Sequence, residues 1–410
     1  MRKILAWFQP QIEDGVKLIS LSTSIRYLGW GFVEAFLPLF LFSFAQTYAE
    51  TGILKSIFSV MFLLSLPVVS WLADRVASKK LLLAALLIYP LVSMSYFFAG
   101  AFGIVAFVVA ARALNGVAYA LDSTGRATYV RTHATEKNIA TSFGYIESLS
   151  NFWWLVAVAV SLVLVRYITL HYLFLLILPA ALLAMIIVAR LPNGVVREDH
   201  ERYSTTKAYG FFFRTIGGWN KQIKGLALLS FLVNIIATIG EFFMPIYAYT
   251  QNASITQVIL LTAFAALPSL LSSPLGMIAD RHPKTIIWAT SITSCLLIAL
   301  AFTAIFPLQL ILVFGISVCL QLLSLAIDRE ITFHVPQAQI GSLSGAFQGV
   351  SQAADIVSPL LLGVLIDAFN LPKVLLGLAI VCCALGLTSL HRHRQQARST
   401  HLKTIPRGYE

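Results

Sequence analysis

Two glutamates stand where a carboxylate is hard to keep. Glu34 opens the run Glu34-Ala35-Phe36-Leu37-Pro38, and Glu241 opens Glu241-Phe242-Phe243-Met244-Pro245. The pattern Glu-x-Phe-x-Pro therefore occurs twice, offset by 207 residues (241 − 34). Both copies lie inside long apolar stretches, where hydrocarbon could not solvate the charge, so each acid needs a protein interior or a water-filled cavity. The proline marks a point where a membrane helix can bend if neighbours satisfy the freed backbone groups. Arg112 lies midway along another apolar stretch, and a buried guanidinium is costly unless paired; Glu34 and Glu147 are its expected partners. Asn115, Gly116 and Tyr119 share its face at i+3, i+4 and i+7, and Gly116 would let a neighbouring helix come close. Arg26 precedes Glu34 by two helical turns, about 12 Å along the axis, so each needs a different partner. A carboxylate poised between burial and a nearby arginine can exchange a proton for a bound solute. Glu34, Arg112, Glu241, Glu147, Arg26 and Asn115 are therefore candidates for proton coupling or solute binding. Trp30, one turn from Glu34, and Phe36 are candidates for an aromatic wall. Asp355 is a further acid in an apolar stretch. The competing reading of the acids is a neutral, hydrogen-bonded structural group, and of Arg112 a pair that pins two helices.

The elements that must position these groups follow from composition. Hydrophobic residues make up 58% and charged residues 11% of the 410 positions, against about 25% charged in soluble domains. A bilayer-spanning helix needs about 20 apolar residues. Such runs occur near 18–45, 52–73, 80–99, 102–121, 139–165 and 168–190, and again near 225–249, 255–279, 285–305, 308–327, 342–366 and 373–390. The expected fold is an all-α polytopic membrane protein with twelve transmembrane helices in two six-helix bundles, residues 1–191 and 225–390. A cytoplasmic linker, 192–224, joins them, and its aromatic run 209–213 could lie at the interface. A basic tail, 391–410, follows. With the N-terminus inside, 24 Lys and Arg fall in inside loops and tails, and three, Lys55, Arg166 and Lys373, fall outside. That asymmetry places both termini in the cytoplasm and explains the net charge of +11 without nucleic acid. The start Met1-Arg2-Lys3 is followed by Glu13 and Asp14 before the first apolar run, so no cleaved leader is expected. Cys295, Cys319, Cys382 and Cys383 show no metal-ligand spacing and read as buried hydrophobes.

The duplication extends beyond the glutamates. Leu72-Ala73-Asp74-Arg75 ends the second segment and Ile278-Ala279-Asp280-Arg281 the eighth; Ala120-Leu121-Asp122 ends the fourth and Ala326-Ile327-Asp328 the tenth. Both pairs are offset by 206 residues (280 − 74 and 328 − 122). Duplicated halves place a binding site at their interface near the bilayer midplane.

At these residues the chain resembles the major facilitator superfamily of transporters over nearly its whole length. The family pattern Gly-x-Leu-Ala-Asp-Arg-x-Gly-Arg-Lys is matched at Leu72-Ala73-Asp74-Arg75 and Lys79, with Ser70, Ala77 and Ser78 departing from it. Arg-x-x-x-Gly is matched by Arg112 to Gly116. The Gly-Pro-x-x-Gly-Gly pattern of many drug–proton antiporters is absent from residues 145–167; only Ser358-Pro359-Leu360-Leu361-Leu362-Gly363 echoes it. The acid-x-x-x-Pro of the first segment is similar to that of bacterial exporters of drugs and small metabolites. The resemblance implies a cytoplasmic gate of Asp74, Arg75 and Asp122, with Lys79 standing in for the distal arginine, and a second copy at Asp280 and Arg281.

The expected function is a secondary transporter in the plasma membrane, a bacterial inner membrane, moving a small organic solute outward in exchange for protons. The alternatives are a proton-coupled importer of a polar metabolite, and a non-transporting receptor or assembly factor of the same fold. Membrane lipid, protons and a small-molecule substrate are the expected partners, and a monomer the expected state. No cofactor is implied, because no Walker loop, Gly-x-Ser-x-Gly or His-Glu-x-x-His motif occurs.

Overall fold

All twelve apolar runs become helices in the computed structural model, which describes residues 13–73, 76–133, 139–192, 217–219, 221–282, 284–333 and 340–386. No strand occurs among them. Helix α1 comprises Asp14–Glu34 and, after a two-residue break, Leu37–Phe42. Then come α2 (Tyr48–Ala73), α3 (Ser78–Phe102), α4 (Val105–His133) and α5 (Ile139–Leu164). Helix α6 runs through Leu170–Leu173, Phe174–Leu176 and Ile177–Ala189. In the second half, α7 joins Lys221–Thr238 to Met244–Thr250 through a π-turn at Ile239–Phe243. Helix α8 passes through Ile255–Ala266, a 3₁₀ stretch Leu267–Leu271, and Ser272–Arg281. Helices α9 (Thr285–Ala301), α10 (Phe306–Phe333), α11 (Ile340–Phe369) and α12 (Leu371–Gly386) complete the set.

Proline chemistry explains where α1 and α7 are irregular. Proline has no N–H, so the carbonyl four residues earlier loses its helical donor. For Pro38 that carbonyl belongs to Glu34, and for Pro245 it belongs to Glu241. The two copies answer the same defect differently. Helix α1 stops at Glu34 and restarts with Pro38 in its first turn, whereas α7 inserts a π-turn containing Glu241. At the α1 break, the Thr262 hydroxyl of α8 donates to the Ala35 carbonyl across the halves (3.1 Å).

The duplication is visible in the packing. Ser93 of α3 donates to the Phe174 carbonyl of α6 at 2.8 Å. Ser294 of α9 donates to the Ala379 carbonyl of α12 at 2.7 Å. Each half thus ties its third helix to its sixth by one buried hydroxyl. Other hydroxyls, such as those of Ser65 and Thr293, bond carbonyls one turn back in their own helices, which satisfies them where no water is available. Large apolar side chains remain exposed around the outside, including Leu64, Leu87, Trp288, Ile311, Val364 and Ile380. A soluble monomer rarely leaves so much apolar surface uncovered; in a multi-pass membrane protein it is the surface that meets lipid.

The halves meet at the end of the bundle remote from residues 13 and 386. Asp367, near the end of α11, accepts the amides of Tyr48 and Ala49 at the start of α2, at 3.0 and 2.8 Å. These amides have no partner within their own helix. Ser56 donates to the Ile356 carbonyl (2.9 Å), and the hydroxyls of Tyr48 and Thr250 lie 3.2 Å apart. Nearby, Asn252 takes a left-handed φ of 66°, and Ser254 caps α8 in a reciprocal pair with Gln257.

Some boundaries differ from those read in the sequence. Helices α4 and α10 do not end at Asp122 and Asp328 but continue to His133 and Phe333. In α4 the reason is visible: Arg126, one turn on, lies 2.9 Å from Asp122, so the acid is paired inside the helix rather than ending it. Helix α7 begins at Lys221, and α2 begins at Tyr48, four residues before its strongly apolar run. The aromatic run 209–213 and the tail 391–410 lie outside the described residues.

Candidate functional site

A cavity of about 580 Å³ lies between the halves, within the 300–1,000 Å³ typical of small-molecule sites. The first half contributes Glu34 and Trp30 from α1, Lys55 and Ser59 from α2, Arg112 and Asn115 from α4, and Asn151 and Trp154 from α5. The second half contributes Glu241 and Phe242 from α7, Thr262 and Ser269 from α8, and Gln352 and Asp355 from α11. Glu34 and Glu241 carry accessible surface, and for both it faces this cavity.

Glu34 is held by its neighbours. Trp154 Nε1 donates to Glu34 Oε2 at 2.6 Å, a charge-assisted distance. Gly31, one turn earlier, makes that pairing possible. A Cβ there would lie 2.5 Å from the Trp154 carbonyl oxygen and 2.7 Å from Ala157 Cβ, so only glycine lets α5 approach near enough. Trp30 meets Tyr89 edge-on at 6.2 Å. Phe36, expected on the cavity wall, is instead fully buried, edge-on to Phe174 at 5.7 Å; the break at residues 35–36 turns it toward α6.

Arg112 meets neither Glu34 nor Glu147 among the described residues. Its Nε donates to the Leu54 carbonyl (3.3 Å) and its Nη2 to the Lys55 carbonyl (2.6 Å). Its guanidinium also lies 5.0 Å from the Phe58 ring. The cause is Gly116, one turn on, where a Cβ would sit 2.5 Å from the Phe58 carbonyl oxygen and 2.9 Å from Met61 Cβ. Helix α2 is drawn so near α4 that its carbonyls reach Arg112 first. Arg-x-x-x-Gly is thus one device: the glycine sets the distance and the arginine uses it.

Arg26 belongs to a separate buried cluster on the cavity wall. Its Nη2 and Arg126 Nε each lie 2.9 Å from Asp122 Oδ2. Neither approach has hydrogen-bond alignment, so the attraction is charge contact. Arg26 Nη1 also donates to the Tyr89 hydroxyl (3.3 Å), and the rings of Tyr27 and Tyr89 lie 4.7 and 5.4 Å from its guanidinium. Breaking such a buried group strands charge, at about 3–5 kcal/mol.

The remaining candidates are scattered. Glu147 is exposed, one turn before Asn151 on α5, and lies outside the cavity wall. Of the expected gate, Asp74 and Arg75 lie outside the described residues. Helix α8 does end at Arg281, but the side chains of Asp280 and Arg281 are not described. Lys79 donates to the Leu191 carbonyl at 2.7 Å, within its own half, and Asp122 is engaged by Arg26 and Arg126 as above.

Charge counting puts Lys55 in an outside loop. It lies instead two turns into α2 and lines the cavity, its ammonium 4.5 Å from the centre of the Phe242 ring. A polar stripe at four-residue spacing, Thr51, Lys55 and Ser59, is the signal that could have found it. Asn151 and Gln352, which share helix faces with Trp154 and Asp355 at i+3, escape sequence reasoning for want of a charge pattern.

A family model described as Major Facilitator Superfamily matches residues 19–359. No curated protein matches the chain by sequence. Among solved structures, the nucleoside transporter NupG, as a single-substitution mutant, superposes with a TM-score of 0.75 at 15% identity, covering 92% of this chain and 99% of that one. A bacterial homologue of the human lysosomal transporter Spinster, inward-facing and unoccupied, gives 0.68 at 12%, covering 91% and 95%. The human organic anion transporter MFSD10 gives 0.64 at 14%, covering 92% and 100%. At these identities the likeness is one of fold.

Proposed function

The chain belongs to the Major Facilitator Superfamily and is a multi-pass membrane transporter rather than an enzyme; from that premise we propose a proton-coupled exporter of a small organic solute. One observation carries the reading: a central cavity places Glu34 on the wall of one half and Glu241 and Asp355 on the other. Glu34, oriented by Trp154, carries the proton. Arg112 fixes α2 against α4, Asn115 and Trp30 contact solute, and Glu241 shapes preference from the opposite wall. Arg26 with Asp122 braces the first half. On this reading the basic loops are cytoplasmic and both termini lie inside a plasma membrane, as the excess of Lys and Arg in those loops supports. The closure of α2 against α11 at the remote end then corresponds to a cavity loaded from inside, the state in which an exporter takes up its cargo. When the halves rock, Asp74, Arg75, Asp280 and Arg281 close the cytoplasmic end.

A second reading is proton-coupled import of a polar metabolite. It is favoured by the three amides Asn115, Asn151 and Gln352 in the wall, which suit a hydrogen-bonding solute such as the nucleosides carried by one structural neighbour. Proteoliposomes with pH gradients of both signs separate the readings by the direction of uphill movement. Under either, Glu34→Gln abolishes accumulation against a gradient.

A further inference from the structure

Lys55 is a charged cavity residue that a purely acidic coupling site does not use. Among the described residues its ammonium makes no hydrogen bond and no ion pair, and it lies over the face of Phe242, 4.5 Å from the ring centre. A lysine that served only to hold the fold together inside a membrane would be expected to have a carboxylate within ion-pair reach. Glu241 and Asp355, across the interface, act on it electrostatically without reaching that distance. The other cavity cations are committed. Arg26 is taken by Asp122 and Tyr89, and Arg112 spends two donors on the carbonyls of Leu54 and Lys55. The second of those bonds also fixes the backbone from which the Lys55 side chain springs.

We propose that Lys55 is the anion-binding residue of the central cavity, and that the transported solute carries a carboxylate beside an apolar ring or chain. The assignment rests on the cavity being the solute site. Phe242 occupies one side of the ammonium and leaves its other donors free. Phe58 and Trp154 supply apolar surface within the same cavity. A carboxylate on the solute competes with Glu241 and Asp355 for Lys55, and because those acids belong to the other half, its arrival loosens an attraction that spans the interface. Lys55 thereby acts both as specificity determinant and as the place where solute binding is felt by the second half.

Three probes that share a phenylethyl skeleton test this on the purified full-length protein: 3-phenylpropionate, phenylalanine and phenethylamine, read by thermal stabilisation as each is titrated. The wild type is stabilised by both carboxylates. Lys55→Gln weakens both by about tenfold or more, the loss of one charge-assisted contact, Lys55→Arg recovers most of that loss, and neither variant changes the response to phenethylamine. Should Lys55→Gln not fold, Lys55→Met keeps the apolar stem and carries the same comparison. Stabilisation by phenethylamine alone, by neither carboxylate, or equally in wild type and the neutral variant overturns the assignment. Carboxylate binding that depends on Lys55 without flux in proteoliposomes would sink the transport reading and leave Lys55 standing. Flux indifferent to the carboxylate would do the reverse.

Discussion

Replacing Gly116 by alanine adds one methyl group where the structure has no room for it. The new Cβ would lie 2.5 Å from the Phe58 carbonyl oxygen and 2.9 Å from both Met61 Cβ and Phe62 N. Two of those three atoms are backbone, so no side chain can swing aside and α4 must retreat from α2. Overpacking of this kind costs about 1–3 kcal/mol. The retreat also stretches the 2.6 Å bond from Arg112 to the Lys55 carbonyl. Alanine's higher helix propensity offsets about 1 kcal/mol, leaving a net loss of about 1–3 kcal/mol once the stretched bond is included. The matched control is Gly144→Ala in α5, where a Cβ meets nothing within 4 Å. That change is expected to be neutral or to stabilise by up to about 1 kcal/mol. Thermal unfolding of both variants in one detergent should therefore rank Gly144→Ala at or above wild type and Gly116→Ala clearly below it. Gly116→Ala should also lose transport disproportionately, because Arg112 and Lys55 move together. Equal melting of the two variants would refute the claim that α4 and α2 are in backbone contact.

Two further changes probe the other devices. Asp122→Asn strands Arg26 and Arg126 and should destabilise by about 3–5 kcal/mol in the same assay, with Arg26→Gln in the same chain recovering part of the loss. Asp367→Ala removes the acceptor for the amides of Tyr48 and Ala49; the lost cap, about 0.5–2 kcal/mol, should favour opening at that end. A cysteine at Ser59, in a background cleared of the four native cysteines, would then react about 2- to 30-fold faster with an impermeant thiol reagent applied from that face, and an unchanged rate would show that Asp367 does not hold it shut.

Much of the fold can be read from the sequence because a bilayer makes length and polarity decisive: each apolar run becomes a helix, and the twofold spelling at Glu34 and Glu241 becomes two proline-induced irregularities. The charges are harder. Counting basic residues by segment puts Lys55 outside, since a single lysine near the start of an apolar run looks the same whether it faces solvent or a cavity. Arg112 is expected to seek a carboxylate. Its real partners are backbone carbonyls, which every residue has and no sequence pattern marks; only the close approach permitted by Gly116 makes them available. Phe36 belongs to the cavity by its nearness to Glu34 in sequence, yet the break between them changes its direction. Asp122 enters the expected gate through the family resemblance. Its contact with Arg26, 96 positions away (122 − 26), depends on how α1 and α4 pack.

Glu34, held by Trp154 on the wall of the cavity between the halves, is the residue proposed to couple solute movement to a proton. The most direct test of that role uses proteoliposomes loaded with a pH-sensitive dye and exposed to a solute that stabilises the purified protein. Wild-type protein should move protons opposite to the solute and accumulate it against its gradient when a pH gradient is imposed. Glu34→Gln should still exchange solute for solute across the membrane while moving no protons and accumulating nothing. A Glu34→Gln protein that concentrates solute as the wild type does would contradict the account.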